Sequence, residues 1–139
     1  MGTINTLGLI VQRMIARRRG QIAIMSSLAG YRGLPHSAGY CASRAATLVL
    51  AESLREDCHV HGVKVQVITP GFVDTPMTAK NDFQMPFLVK SEIAADRIVK
   101  GLGRSRFEIS IPLRLTILMK IEVFHNILHD FDSNLLNNE

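Results

Sequence analysis

The stretch SSLAGYRGLPHSAGYCASRAA, residues 26–46, decides how this chain folds. Just before it, Gln21 to Met25 is a short apolar run between Gly20 and Ser26, as expected of a buried parallel strand. Two serines end that strand, a loop with Gly33 and Pro35 follows, and a helix is predicted from Gly39 to His59. Tyr40 and Arg44 sit four residues apart on that helix and so share a face. A phenol is a weak base at neutral pH, and a close cation favours its charged form. With the Ser27 hydroxyl across the cleft to hold an alcohol or carbonyl oxygen, the three residues make a candidate proton-transfer site. His36, in the intervening loop, reads as a residue flanking that pocket rather than as an additional acid or base.

Upstream, Thr3 to Arg19 carries Leu7, Ile10, Val11 and Met14 at three- and four-residue spacing, a helical pattern that Gly20 is expected to cap. Within the helix at 39–59, Ala42, Ala45, Ala46, Val49, Ser53 and Leu54 form a small-residue stripe suited to packing on a sheet or another helix. Downstream, Val63, Val65 and Val67 alternate with Lys64 and Gln66, so a second strand runs to Thr69. Residues 71–90, with Gly71, Pro76 and Pro86, read as a long irregular segment of the kind that forms lids. Ser91 to Gly101 is a helix with Ser91 as its cap, and Phe107 to Ile111 is a third strand closed by Pro112. Leu113 to Phe131 is a strongly apolar helical tail. Helices alternating with strands predict an α/β fold around a parallel sheet, with the strand at 21–26 beside that at 63–69 and that at 107–111 outside it.

In their order and spacing, Ser26–Ser27, Ala29–Gly30, Tyr40 thirteen positions after Ser27, and the later run TPGFVDTPM (69–77) resemble the short-chain dehydrogenases/reductases. The resemblance covers roughly residues 2–112. It implies a partial Rossmann-like, doubly wound parallel sheet of about three strands, with 1–112 as the C-terminal half of such a domain and 113–139 as a tail. It further implies hydride transfer between an alcohol or carbonyl and NAD or NADP. Tyr40 would be the proton donor and acceptor, Arg44 its electrostatic support, and Ser27 the anchor of the substrate oxygen. Pro70, Gly71, Val73 and Thr75 would meet the nicotinamide. Two departures stand out: the family's lysine four residues after the tyrosine is Arg44 here, and the glycine-rich dinucleotide loop is not in this sequence. The family's catalytic asparagine would fall before Met1, and Asn5 is out of register for it. A C-terminal half that begins inside a helix is the resulting expectation, together with weak cofactor binding by the chain alone.

At 139 residues and 47% hydrophobic content the chain fits one domain with a real core. Its net charge of +4 lies in residues 1–60, which hold seven arginines against three acids. Arg17, Arg18 and Arg19 at a helix C-terminus offset the macrodipole there, and the absence of interleaved aromatics argues against a nucleic-acid surface. Cys41 and Cys58 have no metal-ligand or disulfide spacing, which fits a reducing, cytoplasmic setting, and no metal is expected. The apolar runs fall short of the ~20 residues of a membrane span, although the tail at 113–131 could lie on a membrane surface or face a partner. Two functions of different class follow: an oxidoreductase half acting on a small alcohol or carbonyl, or a non-catalytic remnant that oligomerises. A homo-oligomer through the helices at 3–19 and 39–60 is expected in either case.

Overall fold

The computed structural model describes residues 2–81 and 83–136, with side chains followed through residue 125. Three parallel strands, β1 (Gly20–Met25), β2 (Val63–Pro70) and β5 (Glu108–Ile111), lie side by side in the order β1-β2-β5. Val63 pairs with Gly20 and Ile68 with Met25, while Val67 pairs with Glu108 and Pro70 with Ile111. This is the predicted α/β architecture and strand order. Helices α1 (Gly2–Ala16) and α2 (Ala38–His59) cover one face of the sheet; α3 (Ser91–Leu102) covers the β2–β5 half of the other. A fourth helix, α4 (Leu113–Leu136), follows β5.

The core explains why these segments adopt these states. On one side Ile22 and Ile24 of β1 and Val63, Val65 and Val67 of β2 pack with Leu48, Ala51 and Cys58 of α2 and Leu7 of α1. On the other side Ile68, Ile109 and Ile111 meet Ala94 of α3. β-branched residues fit this pleated surface and are poor competitors for helix. Fully burying a side chain such as Val67, which is 0% exposed, contributes roughly 1.5–3 kcal/mol.

Several local expectations are corrected. The face of α2 that packs on the sheet is the one bearing Cys41, Leu48, Ala51 and Cys58; Ala42, Ala46 and Ser53 are exposed, and Val49 is 61% exposed. Small residues marked a stripe, but the larger apolar groups one position away bury more area and take the core. Gln66, which alternation placed outward, is fully buried because helices cover both faces of β2. Its amide donates to the carbonyls of Arg106 (2.7 Å) and Arg104 (3.1 Å), and its oxygen accepts from Gln21 (2.7 Å), so it fixes the α3–β5 turn.

Gly20 does not cap α1. Arg18 takes the left-handed conformation (φ 51), with Arg18 N–H donating to the Ile15 carbonyl and Arg19 N–H to that of Met14, the paired bonds of a Schellman end. Gly62 (φ 71) accommodates it, since a Cβ there would stand 2.8 Å from the Arg18 carbonyl oxygen. Lys90, not Ser91, is the N-cap of α3. The segment at 71–90 is more ordered than expected: β3 (Val73–Asp74) and β4 (Val89–Lys90) pair in parallel, with a 3-10 turn (Thr78–Lys80) between them.

Candidate active site

The loop that leaves β1 is laced to the first turns of α2. Ser26 N–H donates to the Ile68 carbonyl (2.8 Å), continuing the sheet by one residue, and Ser26 Oγ donates to the Arg44 carbonyl (2.8 Å). Thr47 Oγ1 lies 3.3 Å from Ser26 Oγ. Four residues later Gly30 presses on the same spot. A Cβ at Gly30 would stand 3.0 Å from the Arg44 carbonyl carbon and oxygen, so only glycine allows this approach without displacement. Between these two contacts lies Ser27, and one turn before Arg44 lies Tyr40. The Ser27 loop and the tyrosine-bearing turn are thereby brought against each other.

Ser27 occupies extended backbone and caps the 3-10 turn Leu28–Gly30: its Oγ accepts from Ala29 N–H (3.2 Å). The same oxygen donates to the Pro70 carbonyl (3.2 Å), tying the end of β1 to the end of β2. Tyr40 is 44% exposed. Arg44 lies alongside it with the guanidinium carbon 5.0 Å from the centre of the Tyr40 ring, a cation–π contact. One Arg44 terminal nitrogen is 3.5 Å from the Met25 carbonyl, whereas its Nε is buried and has no hydrogen-bond partner among the described residues. A buried donor left unbonded is costly, so Arg44 retains capacity for an acceptor.

The turn after β2 is tightly built. Gly71 N–H donates to the Ile111 carbonyl (2.7 Å), and a Cβ on Gly71 would come within 2.9 Å of Leu115 and 3.0 Å of Leu28. Beyond it, the Val73 carbonyl accepts from Thr78 Oγ1 (2.6 Å). Thr75 Oγ1 lies 3.2 Å from that same hydroxyl, and Thr75 N–H donates to it (3.0 Å), so Thr75 and Thr78 close a turn on each other. His36 is exposed, with left-handed backbone (φ 58).

A second polar cluster was not foreseen. Glu108, on β5, accepts from Thr69 Oγ1 (2.7 Å), Ser110 Oγ (2.8 Å), Lys120 Nζ (2.6 Å) and the Tyr31 hydroxyl. Burial alone would raise the Glu108 carboxyl, but Lys120 and the three hydroxyls outweigh it and hold the group at about 2. Burial and the bond to Glu108 push the Tyr31 phenol upward. Lys120 also lies 5.1 Å from the centre of the Tyr31 ring. In the sequence Glu108 is merely the polar position of an alternating strand, and three of its four partners lie on other segments, so no local pattern marks it.

Along the outer edge of β1 runs a groove of roughly 550 Å³, walled by Leu7, Ile10 and Met14 of α1 and reaching Arg44. No described strand pairs with that edge. Among the described residues no helix is long and apolar enough to cross a membrane, and no cluster of three or more His, Cys, Asp or Glu could hold a metal ion.

Residues 1–85 match the family described as short chain dehydrogenase. A Myxococcus xanthus protein described as an uncharacterized oxidoreductase is 42% identical over 116 residues, 84% of this chain and 46% of that protein. The 3-oxoacyl-[acyl-carrier-protein] reductase FabG of Rickettsia prowazekii is 36% identical over 81 residues, 58% of this chain and 34% of its own length. Among solved structures, a short chain dehydrogenase of Burkholderia cenocepacia in complex with NADP aligns with a TM-score of 0.73 at 22% identity, covering 98% of this chain and 55% of that one. The apo form of LigD from Sphingobium gives 0.70 at 28% identity, covering 92% and 49%. The chain spans about half the length of the relatives it matches, or less. By the family match and the identity to its relatives, the chain belongs to the short chain dehydrogenase family.

Proposed function

We propose that this chain is the substrate-facing, C-terminal half of an oxidoreductase that interconverts an alcohol and a carbonyl with NAD or NADP, acting in the cytoplasm. The observation that carries this reading is the lacing of the Ser27 loop to α2 at Arg44, through Ser26 Oγ and Gly30. It supports a shared site for Ser27 and Tyr40. In this reading Tyr40 gives a proton to the carbonyl oxygen during reduction and takes it back during oxidation. Arg44, stacked on the ring, serves as its electrostatic support. Ser27 turns its hydroxyl from the Pro70 carbonyl to the substrate oxygen, and Gly71, next to Pro70, keeps that turn close.

The unpartnered Nε of Arg44 is the observation that fits a dinucleotide, because an acceptor such as a ribose hydroxyl satisfies it. Arg44 would hold the ribose, and the turn from Pro70 and Gly71 to Val73 and Thr75 the nicotinamide; when bound, that group supplies or accepts the hydride. The pyrophosphate is held in such folds by glycines at a helix N-terminus, and no such loop lies within these 139 residues. Tight binding therefore needs a polypeptide that carries one.

A non-catalytic role is the second reading, and one observation favours it. The hydroxyls of Ser27 and Thr75 are both engaged internally, by Pro70 and Ala29 and by Thr78. The two readings separate in a chimera that joins the N-terminal portion of the Myxococcus xanthus relative to this chain. Oxidation of NADH or NADPH by the chimera, followed by absorbance across a panel of ketones and aldehydes, supports the enzyme. A folded chimera that binds the cofactor yet turns over none of them supports the remnant.

A further inference from the structure

The outer edge of β5 lies across the sheet from the groove beside β1. At the two ends of β5 the carbonyls of Phe107 and Ile111 turn towards β2, where Val67 N–H and Gly71 N–H donate to them. Alternate residues of a parallel strand address the same neighbour, so the main-chain groups of Glu108 and Ser110 point away from β2. No strand among the described residues pairs with them. Beside that edge, against α3, is a cavity of roughly 230 Å³. Ile109 and Ile111 line it together with four cations, Arg97, Lys100, Arg104 and Arg106.

Most of that charge is uncompensated. Lys100 pairs with Asp96 (2.7 Å), but Arg97, Arg104 and Arg106 meet no carboxylate among the described residues. Glu108 lines the same cavity, and its carboxylate is already taken by Lys120 and three hydroxyls. The segment carrying the arginines is also held in place. Gln66 Nε2 donates to the carbonyls of Gly101, Arg104 and Arg106, and Gln21 and Lys64 both donate to that of Leu102. Main chain fixed before a ligand arrives costs less to order on binding. Five residues, ~7.5 Å of helix axis, separate Arg97 from the end of α3 at Leu102, and Arg104 and Arg106 lie beyond it. The cations form a row, which suits a string of negative charges better than one small anion.

We propose that the free edge of β5 accepts an extended, acidic peptide segment of another protein as an added strand. The partner's main chain bonds the outward N–H and C=O groups of Glu108 and Ser110, the mode in which a sheet edge takes up a peptide. Its side chains alternate between the two faces of the sheet. Those on the face of Ile109 and Ile111, where α3 packs, are carboxylates and meet the arginine row. A second copy of this chain is a poor occupant, because edge-to-edge pairing of β5 sets one arginine row against another. A nucleic-acid strand is disfavoured too, since no aromatic side chain among the described residues lines the cavity to stack a base. The surface includes none of Ser27, Tyr40 and Arg44, so the inference does not depend on whether the chain turns over a substrate.

The test is fluorescence anisotropy of a labelled peptide of about seven residues, alternating Glu and Val, titrated with the full 139-residue chain to ~100 μM, which detects a Kd of about that size. The wild type should bind it, and raising the salt from ~0.05 to ~0.5 M should weaken binding several-fold, as screening of exposed charges requires. Arg97→Glu with Arg106→Glu should weaken it at least ~10-fold, because two exposed attractions become repulsions. Arg13→Glu with Arg17→Glu, the same change in net charge at the end of α1, should bind as the wild type does. The peptide N-methylated at alternate residues keeps its charges but loses the N–H groups that form a strand, and it should not bind. If the double reversal proves unfolded by circular dichroism, Arg97→Gln with Arg106→Gln replaces it, with an expected loss of ~3-fold or more. No binding by the wild type, equal binding of the N-methylated peptide, or an equal loss in the α1 variant would each overturn the inference. So would tighter binding of a single-stranded oligothymidine than of the peptide.

Discussion

Two polar clusters lie on the same sheet, and they differ in what they leave unspent. At the end of β1, Ser26 and Ser27 bond main-chain groups, Tyr40 stays half open to solvent, and Arg44 keeps a buried nitrogen without a partner among the described residues. At the start of β5, Glu108 takes three hydroxyls and an ammonium, all from side chains. A satisfied network rigidifies a fold, whereas spare bonding capacity is what a ligand can use. In the proposed function, chemistry belongs to the first cluster and architecture to the second.

Substitutions can break that division of labour. Tyr40→Phe in the catalytically complete chimera should lower turnover by ~10²–10⁴, the usual worth of a general acid–base group, with no change in melting temperature. Unaltered turnover would remove Tyr40 from the chemistry. Glu108→Gln should do the reverse: a loss of about 2–3 kcal/mol in urea unfolding, because charge-assisted bonds are lost and Lys120 is left unpaired. Stability within 0.5 kcal/mol of wild type, the usual range of a neutral surface change, would mean the cluster is ornamental.

The pH dependence sharpens the same point. Glu108 is held at about 2 in the folded chain, against about 4.3 when unfolded. Because the folded value is depressed, its stabilisation is fully present above the unfolded value and is lost as pH falls towards 2. Wild-type stability should therefore drop by about 2 kcal/mol more than that of Glu108→Gln between roughly pH 5 and 2. Parallel curves for the two proteins would refute the assignment. At the first cluster, Gly30→Ala should cost about 1–2 kcal/mol, since its Cβ meets Arg44 backbone rather than a yielding side chain. Ser26→Ala, which frees one carbonyl, should cost about 1 kcal/mol. Both are read by thermal melts, and neutral values would show that the lacing is loose.

The first cluster was legible in the sequence because its parts are close in the chain and repeat a family spacing: Ser27, Tyr40 and Arg44 fall within eighteen residues. The sheet was legible for a similar reason, since Ile22–Ile24 and Val63–Val67 are apolar strands bounded by glycines. The second cluster was not. Tyr31 is 77 positions from Glu108 and Thr69 is 39, and only the β1-β2-β5 order brings them together. Gln66 shows the same limit: alternation cannot reveal that both faces of a central strand are covered. Arg18 was missed because its left-handed turn is imposed by packing on Gly62, and β3 and β4 because two-residue strands carry no period.

Gly71 lies where the first cluster meets α4. It stands between Leu28, next to Ser27, and Leu115 of α4, and a Cβ there would come within 3.0 Å of both, so a methyl group needs the two leucine ends to move. Close-packed interiors transmit displacement rather than absorb it. A larger residue at 71 would therefore press on the turn whose Pro70 carbonyl accepts the Ser27 hydroxyl.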